Sequence, residues 1–265
     1  MSDPRPIGIF DSGVGGLTVA RQIQRILPEE DIVYFGDTAR VPYGTKSKET
    51  VTKFSVENVE FLMEKNVKLV VVACNTASSL SLDFLKRCFK VPIIGVIEPG
   101  AKGAVAATRN NRIGVVGTNA TIASGAYEKA IKKINPRIAV FGTACALFVP
   151  LVEEGWLAKG VTAEIAASYL APLRPKKIDT LILGCTHYPL LKEVIQDRVG
   201  KGVVLVDSAR EVAREARIIL DSSGLLNRPG RKGRHCFFVS DEPSRFVKMA
   251  ERFLRKRIDC AKRAV

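Results

Sequence analysis

Short apolar runs alternate with longer amphipathic segments along most of the chain. Runs such as IGIF (7–10), IVYF (32–35) and LVVV (69–72) have the length and the β-branched content of strands buried on both faces. The segment 48–66 between two of them repeats apolar residues at helical spacing and is long enough to connect parallel strands. The pattern predicts an α/β protein with mostly parallel sheets.

The pattern of the first hundred residues then returns. A strand, a glycine turn and a helix occupy 111–134, much as they occupy 6–26. We therefore predict two homologous, doubly wound lobes related by pseudosymmetry, with the active site in the cleft between them. The predicted boundaries are 1–96 plus 210–265 for the first lobe, which the C-terminal segment completes, and 97–209 for the second.

Two cysteines end equivalent strands of this repeat. When Gly8 is aligned with Gly114, Cys74 follows the first glycine by 66 residues and Cys185 follows the second by 71. Ligands of open parallel sheets bind at the carboxyl ends of the strands, so two facing lobes place both thiols across one cleft. A thiolate on one side and a thiol on the other can remove a proton from one face of a carbon acid and return one to the other face. The spacing thus predicts stereoinversion by two bases.

Polar residues near the same strand ends are candidates to support the pair. Asp11 and His187 could help the cysteines change protonation state, and Glu153 is a further carboxylate candidate. Hydroxyl, amide and backbone N–H groups that suit a carboxylate ligand come from Ser12, Asn75, Thr76, Thr118 and Thr186. Cysteines 88, 145, 236 and 260 lack such surroundings, and we interpret them as structural.

Composition narrows the class of protein. The chain has 265 residues, 46% hydrophobic and 26% charged, which is ordinary for a soluble globular protein. No apolar run reaches the roughly 18 residues of a membrane span, and no secretory signal is recognisable, so we expect a cytoplasmic protein. Its six cysteines are scattered without C-x-x-C spacing, which argues against a disulfide framework and a structural zinc site.

The formal net charge of +14 is concentrated at the C-terminus. The last 38 residues carry 12 Lys and Arg against 4 Asp and Glu. Within them, 242–257 predicts an amphipathic helix with Phe246, Met249, Ala250 and Phe253 on one face. Because no base-stacking aromatic motif accompanies the basic face, the pattern favours a solvated surface over a nucleic-acid site.

Five motifs in order resemble the glutamate racemases of the aspartate/glutamate racemase superfamily. They are GIFDSGVGGLTV, YFGDTARVPYG, VVACNTAS, PLVEEG and ILGCTHYPLL, and FFVSDEPSRFVKMAERFL extends the resemblance almost to the end of the chain. The resemblance implies interconversion of L- and D-glutamate without pyridoxal phosphate or a metal. It also implies a supply of D-glutamate for peptidoglycan and a homodimer, since members of the family are commonly dimers.

The same resemblance implies roles for individual residues. Cys74 deprotonates D-glutamate with help from Asp11, and Cys185 deprotonates L-glutamate with help from His187 and Glu153. Implied substrate contacts are Asp11, Ser12, Tyr43, Gly44, Asn75, Thr76, Thr186 and His187, whereas Asp37 has a supporting role.

Three alternatives stay open at the level of sequence. A related two-cysteine enzyme could act on aspartate, a hydantoin or another carbon acid, and a substrate panel separates these. A thiol redox protein would pair Cys74 with Cys185 as a disulfide. A nucleic-acid-binding protein would retain DNA in a salt-sensitive way. Neutralising the basic residues at 252 and 255–257 would abolish that retention.

Overall fold

A computed structural model of the chain describes residues 2–258 and 260–264. Within them, ten strands form two sheets. The strands are β1 (Ile7–Asp11), β2 (Ile32–Gly36), β3 (Leu69–Val72), β4 (Ile93–Gly95), β5 (Arg112–Gly117), β6 (Ala139–Ala144), β7 (Thr180–Gly184), β8 (Val204–Val206), β9 (His235–Val239) and β10 (Lys262–Arg263).

Eleven α-helices lie among these strands in the described part of the chain. They are α1 (Leu17–Ile26), α2 (Lys48–Glu64), α3 (Asn75–Cys88), α4 (Ile97–Ala107), α5 (Asn119–Ala123), α6 (Ala126–Ile134), α7 (Phe148–Glu153), α8 (Gly160–Leu170), α9 (Lys192–Val199), α10 (Ser208–Ser222) and α11 (Pro243–Leu254). Short 3₁₀ turns occupy Tyr43–Thr45, Ala171–Lys176 and Tyr188–Leu191.

The two sheets repeat one topology. The first has the order β10-β9-β2-β1-β3-β4 and the second the order β6-β5-β7-β8. Every described strand pair is parallel, and β2-β1-β3-β4 corresponds strand for strand to β6-β5-β7-β8. Strands β1, β3 and β7 are buried along their whole length, as their unbroken apolar runs predict. The predicted two-lobed α/β fold is confirmed.

The C-terminal segment returns to the first sheet. Strand β9 pairs with β2, and α10 and α11 both pack against α1. Helix α11 buries Phe246, Ala250 and Phe253, which confirms its predicted apolar face. The predicted helix over 242–257 is longer at its C-terminal end than the observed one. The helix stops at Leu254 because Arg255 adopts the left-handed conformation that commonly ends helices, and the short strand β10 follows.

The sequence pattern predicted one helix incorrectly and missed two others. The single helix predicted after β5 is two helices, since Gly125 with φ 63° separates α5 from α6. Helices α4 and α7 were not predicted. Helix α4 contains Pro99 and two glycines and has little polar contrast, while α7 has only six residues.

Candidate active site

One cavity between the lobes brings the two predicted cysteines together. The space not filled by atoms, including the part open to solvent, is about 330 Å³. Its lining contains Ser12, Val41, Pro42, Tyr43, Gly44, Cys74, Asn75, Thr76, Thr118, Val149, Cys185, Thr186 and His187. Cys74 follows β3 and Cys185 follows β7, the equivalent strand of the repeat. Both thiols are unpaired, and both residues are buried.

Cys74 lies at the N-terminus of α3. Its Sγ accepts a hydrogen bond from the backbone N–H of Ala77 at 3.5 Å and lies 3.7 Å from Oγ of Ser12. Burial, together with the nearby charge of Asp11, raises the pKa of the Cys74 thiol to about 12. The surroundings therefore favour a protonated thiol at Cys74.

Cys185 has different neighbours from its counterpart. No α-helix starts directly after it, because the 3₁₀ turn Tyr188–Leu191 comes first and α9 begins only at Lys192. Instead, Sγ lies 3.8 Å from Nδ1 of His187. A histidine side chain, rather than a helix N-terminus, thus lies beside Sγ of Cys185.

His187 connects Cys185 to Glu153. Nε2 of the ring lies 3.2 Å from Oε1 of Glu153, which stands at the end of α7. Burial opposes a charge on the ring, but hydrogen bonds to Cys185 and Glu153 outweigh it and raise the pKa of His187 to about 10. A cation beside Sγ of Cys185 stabilises negative charge on that sulphur.

Asp11 stands behind the cavity, at the end of β1. Its carboxylate accepts hydrogen bonds from the backbone N–H of Gly13 at 3.1 Å and from Oγ1 of Thr186 at 3.4 Å. Thr186 follows Cys185, so Asp11 connects the turn after β1 to the turn that carries Cys185. Burial raises the pKa of Asp11, and the charge on His187 partly opposes this shift.

Three threonines form a hydroxyl cluster on another wall. Oγ1 of Thr76 lies 2.9 Å from Oγ1 of Thr118 and 3.3 Å from that of Thr121, and the last two are 3.0 Å apart. Thr118 also caps α5 through the backbone N–H of Thr121. Gly44 packs so closely that a Cβ there would lie 2.6 Å from Cβ of Thr118. The cluster therefore offers neutral hydrogen-bond donors to the cavity.

Tyr43 contributes to the wall without a free hydroxyl. Its phenol donates to the buried carboxylate of Asp37 and accepts from Nδ2 of Asn58 at 3.1 Å. Asp37 also accepts from Arg40 at 2.7 Å and from Ser240 at 2.9 Å. Asp37 thus holds the segment that carries Tyr43 and Gly44, consistent with the supporting role that the resemblance implies.

Most predicted site residues reach this cavity. Asp11 and Glu153 do not line it but contact the lining residues Thr186 and His187. The sequence interpretation missed the apolar wall of Val41, Pro42 and Val149. It also missed Thr121, which contacts Thr76 and Thr118 without lining the cavity. The VPYG segment of the motif YFGDTARVPYG could have indicated Val41 and Pro42. Val149 lies on α7, a helix that the sequence pattern did not predict.

The other predicted features lie outside the cavity. Cys88, Cys236 and Cys260 are exposed and Cys145 is buried elsewhere. In residues 2–258 and 260–264, no three His, Cys, Asp or Glu side chains are grouped as metal ligands would be. None of the helices described is long and apolar enough to cross a membrane.

Known proteins are similar to this chain over most of its length. Residues 7–216 match the Asp/Glu/Hydantoin racemase family. The chain is 56% identical to a protein named glutamate racemase from Geobacter metallireducens, over 94% of this chain and 93% of that one.

Solved structures are similar over almost the full length. The crystal structure of glutamate racemase isoform RacE1 from Bacillus anthracis matches with a TM-score of 0.93 and 42% identity, over 98% of this chain and 96% of that chain. The glutamate racemase of Francisella tularensis in complex with D-glutamate matches with a TM-score of 0.93 and 39% identity, over 99% of this chain and 98% of that chain. Because the family match covers most of the chain and close relatives span it almost completely, the chain belongs to the Asp/Glu/hydantoin racemase family.

Proposed function

We propose that this protein interconverts L- and D-glutamate by proton transfer between Cys74, Cys185 and the α-carbon. The observation that carries the proposal is that both cysteines end equivalent strands of the repeat and line one cavity. The names of the relatives support glutamate as the substrate.

The proposed reaction uses each cysteine once per turnover. With L-glutamate, the α C–H bond breaks, its proton goes to Sγ of Cys185, and the electron pair stays on carbon. The S–H bond of Cys74 then breaks, and its proton reaches the opposite face of the carbanion. D-glutamate and a Cys74 thiolate result, and the reverse reaction starts from this state.

The two sides of the cavity suit the two starting protonation states. Hydrogen bonds to Cys185 and Glu153 outweigh burial and raise the pKa of His187, whereas burial and the charge of Asp11 raise the pKa of the Cys74 thiol. After turnover, the negative charge on Cys74 is stabilised by the N–H of Ala77 and the hydroxyl of Ser12.

Neutral donors are proposed to hold the substrate carboxylates. Among the described residues that line the cavity there is no Lys or Arg, so hydroxyls, the amide of Asn75 and backbone N–H groups are the available donors. We assign these contacts to Ser12, Tyr43, Gly44, Asn75, Thr76, Thr118, Thr186 and His187, with Asp11 behind them. Fixed donors in a buried site stabilise the carbanion without reorganisation.

The wider biological setting is part of the same proposal. D-glutamate made by this reaction would serve peptidoglycan synthesis in the cytoplasm, as the family resemblance implies, and the protein would act as a homodimer. The lobes would divide at 1–96 plus 210–265 and 97–209. Size measurement in solution and growth rescue of a D-glutamate auxotroph test the assembly and the role.

The first experiment follows the α-proton by NMR in D₂O with L-glutamate and no added cofactor. We expect loss of the α-proton signal together with appearance of D-glutamate. Cys74→Ala and Cys185→Ala should both abolish racemisation. Cys145→Ala should not, because Cys145 is a buried cysteine outside the cavity. An unchanged α-proton in the wild-type protein would overturn the glutamate assignment, and aspartate and hydantoins would be tested next.

A further inference from the structure

We infer that Tyr127 is a positioning residue that orients the side-chain amide of Asn75 so that its nitrogen faces the substrate carboxylate. The inference rests on the proposed function and goes beyond it, since Tyr127 does not line the cavity. It belongs to α6 of the second lobe, whereas Asn75 directly follows Cys74 in the first.

The contact itself is short and buried. The hydroxyl of Tyr127 donates to Oδ1 of Asn75 at 2.7 Å, and Oγ of Ser208 lies 3.1 Å from the same hydroxyl. Tyr127 is 3% exposed and Asn75 is 4% exposed, so water does not compete for these atoms. Burial also raises the pKa of Tyr127, which keeps the hydroxyl protonated and able to donate.

The direction of this hydrogen bond decides which amide atom remains available. With Oδ1 occupied by Tyr127, the donor group Nδ2 is left, and within the described part of the chain it donates to no protein atom. Asn75 lines the cavity, where a carboxylate offers only acceptors. An amide turned the other way would place its oxygen against the carboxylate and repel it.

Packing holds the tyrosine ring against the end of β7 and against α4. A Cβ on Gly184, the residue before Cys185, would lie 3.1 Å from Cε2 of Tyr127. A Cβ on Gly100 of α4 would lie 3.3 Å from Cε1 of the same ring. Tyr127 therefore rests against the end of β7 while its hydroxyl reaches the residue after Cys74. The Tyr127 side chain thus links the amide of Asn75 to the turn that carries Cys185.

A double-mutant cycle of Tyr127→Phe and Asn75→Ala tests this inference in the full-length protein. Tyr127→Phe keeps the ring and removes only the hydroxyl. We expect KM to rise about tenfold for both enantiomers, the size of one charge-assisted hydrogen bond, with a smaller change in kcat. In the Asn75→Ala background, Tyr127→Phe should change KM less than about twofold, because it acts through the missing amide.

Two control variants separate positioning from general damage. Tyr169→Phe removes another tyrosine hydroxyl, which accepts from the N–H of Leu147, and should leave KM unchanged. Ser208→Ala leaves the Tyr127–Asn75 bond in place and should raise KM less than about threefold. Equal effects of Tyr127→Phe with and without Asn75, or an unchanged KM in Tyr127→Phe, would overturn the inference in an active enzyme.

A structure with bound D-glutamate tests the same point without a variant. We expect Nδ2 of Asn75 within hydrogen-bond distance of a substrate carboxylate and Oδ1 on Tyr127. A carboxylate bound away from Asn75 would contradict the inference. Wild-type protein that exchanges no α-proton of glutamate would instead overturn the proposed function itself, and the two failures are therefore distinguishable.

Discussion

Nε2 of the buried His187 ring lies 3.2 Å from Oε1 of Glu153, whose side chain is 19% exposed. The two residues are 34 positions apart and come from different turns of the second lobe. This contact, together with the one to Cys185, keeps the buried imidazole charged at neutral pH. The ring can therefore stabilise a thiolate at Cys185.

Glu153→Gln should lower the pKa of His187 and slow racemisation. We expect kcat/KM to fall about tenfold to a hundredfold in both directions, because Cys185 takes part in proton transfer in both directions. Circular dichroism of glutamate follows the rate. Glu154→Gln is the matched control, because the neighbouring carboxylate is exposed. A Glu153→Gln enzyme as active as Glu154→Gln would remove Glu153 from the proposed machinery.

The same histidine should make stability depend on pH. Its folded pKa of about 10 exceeds the ordinary value of about 6.5, so charging the ring stabilises the folded state. This contribution is complete below about pH 6.5 and is lost as the pH rises through about 10. Urea unfolding across this range should show a declining free energy of unfolding that His187→Asn does not share. Parallel curves for the two proteins would contradict the assignment.

Asp11→Asn should lower the pKa of the Cys74 thiol. Burial remains in the variant, but the negative charge that disfavours the thiolate is gone. Alkylation of Cys74 by iodoacetamide, followed by mass spectrometry, should therefore rise at lower pH than in the wild type. Asp207→Asn changes a buried carboxylate that caps α10 and should leave the Cys74 profile unchanged. An identical profile in Asp11→Asn would show that Asp11 does not act on Cys74.

Two glycines of one turn should respond very differently to alanine. A Cβ on Gly15 would lie 2.3 Å from Oγ1 of Thr186 and 2.6 Å from Nδ1 of His187. A Cβ on Gly13 would meet Val41 at an ordinary 3.5 Å. We expect Gly15→Ala to reduce kcat/KM at least about tenfold by displacing His187, while Gly13→Ala keeps near-normal rates. Comparable kcat/KM values for the two variants would show that Thr186 and His187 can shift to accommodate the added methyl group without loss of rate.

A buried ion pair far from the cysteines should affect stability alone. Nζ of Lys68 lies 2.6 Å from Oε2 of Glu30, both side chains are at most 1% exposed, and Nζ also donates to the carbonyls of Asp3 and Leu225 at 2.7 Å. Lys68→Met leaves a buried carboxylate unpaired and should lower the free energy of unfolding by about 3 to 5 kcal/mol. The double variant Lys68→Met with Glu30→Gln should lose less, because no unpaired charge remains.

Kinetics separate this pair from the active site. Lys68 and Glu30 precede β3 and β2, at the end of the sheet opposite the cavity. We therefore expect wild-type KM and kcat from the folded variants, with the loss visible only in urea unfolding. A changed KM in Lys68→Met would indicate that the pair also positions the cleft.

Local sequence patterns determined the repeat and the place of the cysteines. The apolar runs of β1, β3, β5 and β7 are contiguous, and burial of a strand on both faces needs only neighbouring residues to be apolar. Strand ends, and with them the positions of Cys74 and Cys185, could therefore be located without coordinates. The apolar face of α11 followed from periodicity in the same way.

Tertiary structure alone decided which side chains meet at the site. The partners Tyr127 and Asn75 are 52 residues apart, and Thr186 and Asp11 are 175 apart. No local pattern encodes such pairs, because they depend on how two lobes pack rather than on propensity. The protonation states also depend on tertiary structure. Burial and the contacts made in the folded chain favour a thiol at Cys74 and a cation at His187 beside Cys185.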